Sequence, residues 1–146
     1  MSVGLFCSRE VDTVRPDESA LVAARRMQSR HVGTLVVIAD NERRPLGILT
    51  DRDLAVQVLA QGRDANRTNV GDVMSRSPTM VREDTSIEQA LCLMRSGPYR
   101  RLIVTDRDGC LVGIVSLDDI LNLVSREFKK IGGLLREESP KSLAAG

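Results

Sequence analysis

Thr50-x-x-Asp53 and Ser116-x-x-Asp119 are the two segments of this chain whose residue types and spacing suit ligand chemistry. Each follows an apolar run led by glycine, Gly47-Ile48-Leu49 in one and Gly113-Ile114-Val115 in the other. A strand that ends there places the Thr or Ser where a helix begins. Backbone N–H groups and the positive end of the helix dipole at such a junction suit a phosphate. One helical turn later lies a carboxylate, an acceptor that takes two hydrogen bonds from the neighbouring hydroxyls of a ribose. The other reading of the same residues is helix N-capping alone. Little else offers chemistry. His31 is the single histidine, and no Cys/His/Asp group has the spacing of a metal site or a triad. It reads as a loop residue with at most a minor ligand role. The three cysteines, Cys7, Cys92 and Cys110, form neither a CxxC nor a disulfide framework, and they read as small core residues in a reducing compartment. P-loop, GxGxxG and GxSxG motifs are absent. With no general base or metal ligand set, the chain is expected not to be an enzyme.

The two segments belong to a longer duplication. Residues 3–38 align with residues 70–105 at an offset of 67, with identities that include Val3/Val70, Gly4/Gly71, Ser8/Ser75, Asp17/Asp84, Ser19/Ser86, Met27/Met94 and Leu35/Leu102. The match resumes at an offset of 66, where Gly47–Asp53 faces Gly113–Asp119. Such self-similarity predicts two related units and two related sites. Within the first copy, Val11–Val14 reads as a short strand. Ser19 caps a helix to about Arg30, Leu35–Ile38 is a covered strand, Asn41–Pro45 is a turn and Leu46–Leu49 is the partner strand. Asp53 opens a second helix with Leu54, Val58 and Leu59 on one side. In the second copy Thr85 or Ser86 caps a helix bearing Ile87, Ala90, Leu91 and Met94. Strands Leu102–Thr105 and Leu111–Val115 follow, and then a helix with Ile120, Leu121 and Val124. Gln61–Asn69 reads as a polar linker. From Lys129 onward, Gly132-Gly133 reads as a hinge or break and the rest as a frayed tail.

Each copy is thus a β-α-β-β-α unit, and the fold class is α/β of the α+β type. A unit of about 55 residues is small for an independent core, so the two are expected to pack pseudo-symmetrically through their sheets. The expected division is motif 3–60, linker 61–69, motif 70–125 and C-terminal extension 126–146. Net charge is +1, from 21 basic and 20 acidic residues, which gives no field for nucleic acid. Aromatic residues are 2% of the chain (Phe6, Tyr99 and Phe128), too few for base stacking. No run of 18 apolar residues would span a membrane and no secretory signal is visible, so a cytoplasmic protein is expected.

The duplicated pattern resembles the tandem CBS-domain pair, or Bateman module, over about residues 3–125. The elements that carry the resemblance are Val14-x-Pro16-Asp17-x-Ser19, Val32-Gly33-x-Leu35-Val36-Val37 and the Gly47…Thr50-x-x-Asp53 and Gly113…Ser116-x-x-Asp119 segments. Copy two departs by having Glu83 for Pro16, expected at a solvent-exposed approach to the helix, and Tyr99-Arg100-Arg101 for Val32-Gly33-Thr34. The resemblance implies that Asp53 and Asp119 hold the ribose of an adenosine ligand, with Thr50 and Ser116 on the phosphate side. It implies that each site mixes the copies. Val32, Gly33 and Thr34 are assigned to the Asp119 site, and Tyr99 and Arg100 to the Asp53 site. Cys7/Ser8 and Met74/Ser75 lie where the family contacts adenosine, and Cys7 and Met74 also read as core. Arg52, Arg100 and Arg101 are candidate phosphate partners, since a guanidinium fork suits phosphate. Arg101 matches a phosphate-contacting position of the family and is expected to favour phosphorylated ligands at the Asp119 site.

The function these features imply is a stand-alone regulatory module. It would bind AMP, ADP or ATP, with S-adenosylmethionine and NAD(H) in the same class, in the cleft between its copies. Energy sensing follows, with the ligand regulatory and no obligatory cofactor. With no effector domain in view, the signal would pass to an unidentified protein partner or through oligomer state. A homodimer through the Leu54/Val58 and Ile120/Val124 faces is expected. The alternative is an interaction scaffold with vestigial pockets.

Overall fold

The computed structural model describes residues 1–39, 43–76, 78–97 and 100–138. Copy one contributes β1 (Thr13–Val14), α1 (Ala20–Arg30), β2 (Thr34–Ile38), β3 (Pro45–Thr50) and α2 (Asp51–Asp53), which runs on as π-helical turns over Leu54–Leu59. Copy two contributes α3 (Val70–Val73), β4 (Ser75–Arg76), β5 (Met80–Arg82), α4 (Ile87–Arg95), β6 (Arg101–Thr105), β7 (Leu111–Ser116) and α5 (Leu117–Glu138). The fold is α+β with two sheets, in the orders β1-β2-β3-β4 and β5-β6-β7. In each, the first strand lies parallel to the second and the second antiparallel to the third.

Side-chain parity divides the core into three layers. Leu35 and Val37 point from β2 toward α1, where they meet Ala20, Ala23 and Met27. Leu102 and Val104 do the same from β6 toward Ala90, Met94 and Ile120. The residues of opposite parity, Val36 and Ile103, meet between the sheets with Leu111 and are at most 1% exposed. A single copy would leave that central layer in water, so its burial is the physical reason for the pair.

The opening residues of each copy belong to the other copy's sheet. β4, which opens copy two, pairs with β3, and Ser8 bridges to Ile114 of β7. Val70 and Val73 complete the first core, whereas Val3 and Cys7 complete the second. The backbone bonds repeat across the exchange: Val3 and Gly4 N–H donate to Thr85 and Glu83 carbonyls, Val70 and Gly71 N–H to Glu18 and Pro16 carbonyls. This explains the two strand glycines. A Cβ at Gly47 would lie 2.6 Å from the Ser75 carbonyl oxygen, and one at Gly113 would lie 2.5 Å from that of Ser8. Glu83 is therefore not an exposed approach to a helix. Its Cβ and carbonyl oxygen are 2.8 Å from where a Gly4 Cβ would stand, so it forms the docking platform of the exchanged turn.

Other expectations also need correction. The helix after β3 starts at Asp51, and its wider π-type turn brings Leu54 and Val58 onto the first core while Leu59 is 80% exposed. Val58 and Ile120 are buried within the chain and Leu54 is partly so, whereas Val124 is 40% exposed, so the two expected faces are open only in part. Residues 129–138 are helical, because α5 passes through Gly132 and Gly133 without a break. The linker is packed as well: Ala65 and Thr68 carbonyls accept from Leu21 and Ala20 N–H, closing the N-terminus of α1.

Candidate functional site

Both Thr/Ser-x-x-Asp segments fold into reciprocal capping boxes. Thr50 N–H donates to Asp53 Oδ2 at 2.9 Å, and Asp53 N–H donates to Thr50 Oγ1 at 3.1 Å. In copy two, Ser116 N–H donates to Asp119 Oδ2 at 2.8 Å, and Asp119 N–H to Ser116 Oγ at 3.0 Å. These residues therefore do cap their helices, as the simpler sequence reading allowed. One carboxylate oxygen of each Asp is consumed, and Oδ1 of each has no hydrogen bond among the described residues. A half-buried carboxylate held in this way still presents an acceptor to a ligand hydroxyl.

The two helix starts differ in the donors they leave. Asp51 N–H donates to the Gly33 carbonyl at 3.0 Å, and Arg52 N–H donates to the Asp51 carboxylate at 2.9 Å. With Asp53 N–H on Thr50, the first three donors of α2 are spent within copy one, and a side-chain anion already sits on them. Expectation had them free. In copy two, Leu117 stands in the place of Asp51 and its N–H donates to the Arg100 carbonyl, while the first-turn acids of the helix are Asp118 and Asp119.

A cleft of about 330 Å³ lies between the sheets. That is the lower end of the range for small-molecule sites. Its lining brings together Ser8, Val32, Gly33, Thr34 and Arg101 from the expected residues, and adds Glu10, Val11, Asp12, His31, Val36 and Ile114. Thus Val32–Thr34 of copy one share a cleft with β7 of copy two. Arg101 pairs in register with Ser116, the residue that caps the Asp119 helix, and Thr34 pairs with Thr50. Thr34 Oγ1 is a buried hydroxyl oxygen with no hydrogen-bond partner. Arg101 lines the cleft together with two acidic residues, Glu10 and Asp12. Asp12 is already committed, 2.7 Å from Arg30, and this pairing raises the guanidinium's pKa. His31 closes α1 with left-handed backbone, φ 55°.

The remaining expected residues are dispersed. Cys7 is buried in the second core with its sulfur against Gly113, and desolvation chiefly raises its thiol pKa. Met74 packs on the first core with its sulfur against Gly47. Ser75 is exposed on β4, opposite Ile48. Arg100 lends its carbonyl to α5, and its side chain is exposed; Arg52 is exposed on α2. Tyr99 lies outside the described residues. Glu10 and Asp12 carried no motif. Ile114 had a signal, since it alternates with Gly113 and Val115 and so faces away from the helices. No group of three or more metal-ligating side chains occurs among the described residues.

Comparison with known proteins agrees with this architecture. The family model for the CBS domain matches residues 3–59 and again 70–126. The chain belongs to the CBS-domain family and carries two CBS domains in tandem. It is 39% identical over 119 residues to the CBS domain-containing protein YhcV of Bacillus subtilis, covering 81% of this chain and 82% of that one. Among solved structures, Arabidopsis CBSX2 in complex with AMP superposes with a TM-score of 0.73 at 31% identity, covering 86% of this chain and 96% of the other. A hexameric CBS-CP12 protein from bloom-forming cyanobacteria superposes with a TM-score of 0.72 at 26% identity, over 83% and 69% of the two chains. No helix among the described residues is long and apolar enough to cross a membrane.

Proposed function

We propose that this CBS pair is a regulatory sensor that binds an adenosine nucleotide in the cleft between its copies and passes the resulting shift to a protein partner. The observation that carries the reading is the arrangement on the copy-two side. An open carboxylate oxygen on Asp119 and the capping Ser116 stand at one strand–helix junction, and Arg101, in register with Ser116, lines the cleft with Thr34, although Asp119 and Ser116 do not line it. Asp119 suits a ribose, and Arg101 suits a phosphate as a charge-assisted donor. The AMP complex of CBSX2 supports the same ligand class. A ligand that touches Val32–Thr34 of one copy and Arg101 of the other binds best at one relative setting of the sheets. It shifts the population toward that setting.

The copies are unequal in this scheme. Asp51 already fills the start of α2, so a phosphate there would meet a carboxylate. The Asp53 site thus fits the alternative reading of a vestigial pocket, and the Asp119 site is the working one. Calorimetry with adenosine, AMP, ADP, ATP, S-adenosylmethionine and NAD(H) tests this. One site of micromolar affinity for a phosphorylated adenosine, lost in Asp119→Ala and kept in Asp53→Ala, is the expected result. No heat with any of the six would leave the interaction scaffold as the function.

A further inference from the structure

The β2–β3 and β6–β7 hairpins turn at the end of the sheets away from the cleft. Thr34 and Arg101, which line the cleft, are the first residues of β2 and β6. The turns follow Ile38 and Thr105, the last residues of those strands, about 13 Å further on at the rise of a strand. At the offset of 66 both turns place a left-handed residue at the same point, Arg43 with φ 47° and Gly109 with φ 81°. Glycine takes this backbone freely, whereas an arginine there is strained. The Arg43 side chain is exposed, so burial does not explain the arginine. Its carbonyl has a task, because it accepts from Leu111 N–H at 2.8 Å. Among the described residues this is the one backbone hydrogen bond between the two hairpins. Pseudo-symmetry would supply a second, from residue 45 to the Gly109 carbonyl, but Pro45 has no N–H to give. The hairpins are thus joined on one side only, through an acceptor in a strained turn. Val36 and Ile103, in the middle of β2 and β6, pack together between that bond and the strand starts.

We infer that the Arg43–Leu111 bond is a strained catch that opposes the ligand-bound setting of the sheets. The inference rests on the nucleotide reading of the cleft. A ligand that draws Val32–Thr34 and Arg101 together tilts the sheets over Val36 and Ile103, and the hairpins part at the far end. Leu111 N–H is then released to water, and Arg43 leaves the left-handed region. The strain in Arg43 offsets part of what the bond contributes, which makes the catch easy to release. Glycine at position 43 would remove the strain and hold the sheets in their free setting. A β-branched residue, which resists positive φ more than arginine does, would release them. Affinity for the ligand follows the fraction of molecules already in the released setting.

Calorimetry of the full chain with ATP, on wild type, Arg43→Gly and Arg43→Val, is the experiment. Both variants change an exposed residue outside the cleft, and both remove the same guanidinium. Comparing the two therefore isolates the backbone preference at position 43. Arg43→Val is expected to bind ATP about tenfold more tightly than Arg43→Gly, although thermal unfolding should find it the less stable protein. A residue that only supports the fold would not produce that opposition. Amide exchange at Leu111 in the wild type is the second readout, and it should quicken at saturating ATP. Equal affinities in the two variants, or tighter binding by Arg43→Gly, overturn the inference and leave the nucleotide reading in place. So does a Leu111 amide whose exchange ATP slows or leaves unchanged. No heat with any of the three proteins overturns both.

Discussion

The two copies share a scaffold and differ in how polar residues hold it. In copy one, Arg26 bridges α1 to the carboxylate of Glu18 at 2.7 Å and to the Thr13 carbonyl at 2.9 Å, and Arg30 pins Asp12. At the aligned positions copy two has Leu93, Thr85, Gly97 and Thr79, and none of these ion pairs can form. The helix after the third strand differs as well. In copy one its donors are closed by Asp51 and it soon widens into π-type turns, whereas in copy two it runs 22 residues. Meanwhile Gly47 and Gly113, the capping boxes and the exchanged opening turns are the same. The apolar and glycine positions fix the fold in both copies. The polar positions differ: they tie copy one down, whereas copy two carries the longer helix and, on the proposed reading, the site.

The largest expected effect tests the sameness. Gly47→Ala and Gly113→Ala each push a Cβ into a backbone carbonyl of the exchanged segment, and each should cost about 2–3 kcal/mol in urea unfolding. A neutral result at either glycine would mean that its copy does not need the exchange. Next comes the difference between the sites. Asp119→Ala should weaken nucleotide binding by about 2 kcal/mol, near thirtyfold, while Asp53→Ala changes it less than about threefold. Both variants should also lower apo stability by about 1 kcal/mol, because each removes half of a capping box. Equal losses of affinity would make the two sites equivalent.

Smaller effects sharpen the same contrast. Arg101→Ala should weaken ATP about tenfold and leave adenosine nearly unchanged, since only the phosphates meet the guanidinium. Equal loss for both ligands in calorimetry would give Arg101 a shape role. The last prediction concerns acid. The Arg26 hydrogen bond holds Glu18 at a pKa of about 2, below its ordinary 4.5. Because the folded value is the lower one, this stability is complete above pH 4.5 and drains away as pH falls toward 2. Glu18→Gln should remove about 1 kcal/mol at pH 7 and flatten the acid side of the stability profile, a modest figure because the pair is partly exposed. An unchanged profile would show that the tie in copy one is ornamental.

Local signals carried much of this structure. Ser19 and Ser86 cap the helices the sequence expected them to cap, and the β-branched runs at 35–38 and 102–105 are strands covered on both faces. The exchange of opening turns was harder to read, because residues 3–8 and 70–76 make their contacts far along the chain. Glycine inside a strand was the available clue, since it marks close backbone approach. Gly132-Gly133 misled in the opposite direction. Their propensity argues for a break, yet the helix continues through them. At the cleft, Ser8, Val32–Thr34 and Arg101 were legible through their family pattern. Glu10 and Asp12 were not, because a lone acid beside a strand has no spacing to give it away.

The exchanged turns bear on descent as well as on folding. A chain holding one copy could not close its own sheet edge, because the residues that close it point away to a neighbour. Two such chains would complete each other by trading openings. Joining them through residues 61–69 turns that trade into a single polypeptide without moving an atom of the core. On this reading the duplication did not invent the interface between the halves. Such a duplication would inherit the contact of two separate molecules, and only within one chain can aligned positions such as Asp51 and Leu117 differ between the two sides.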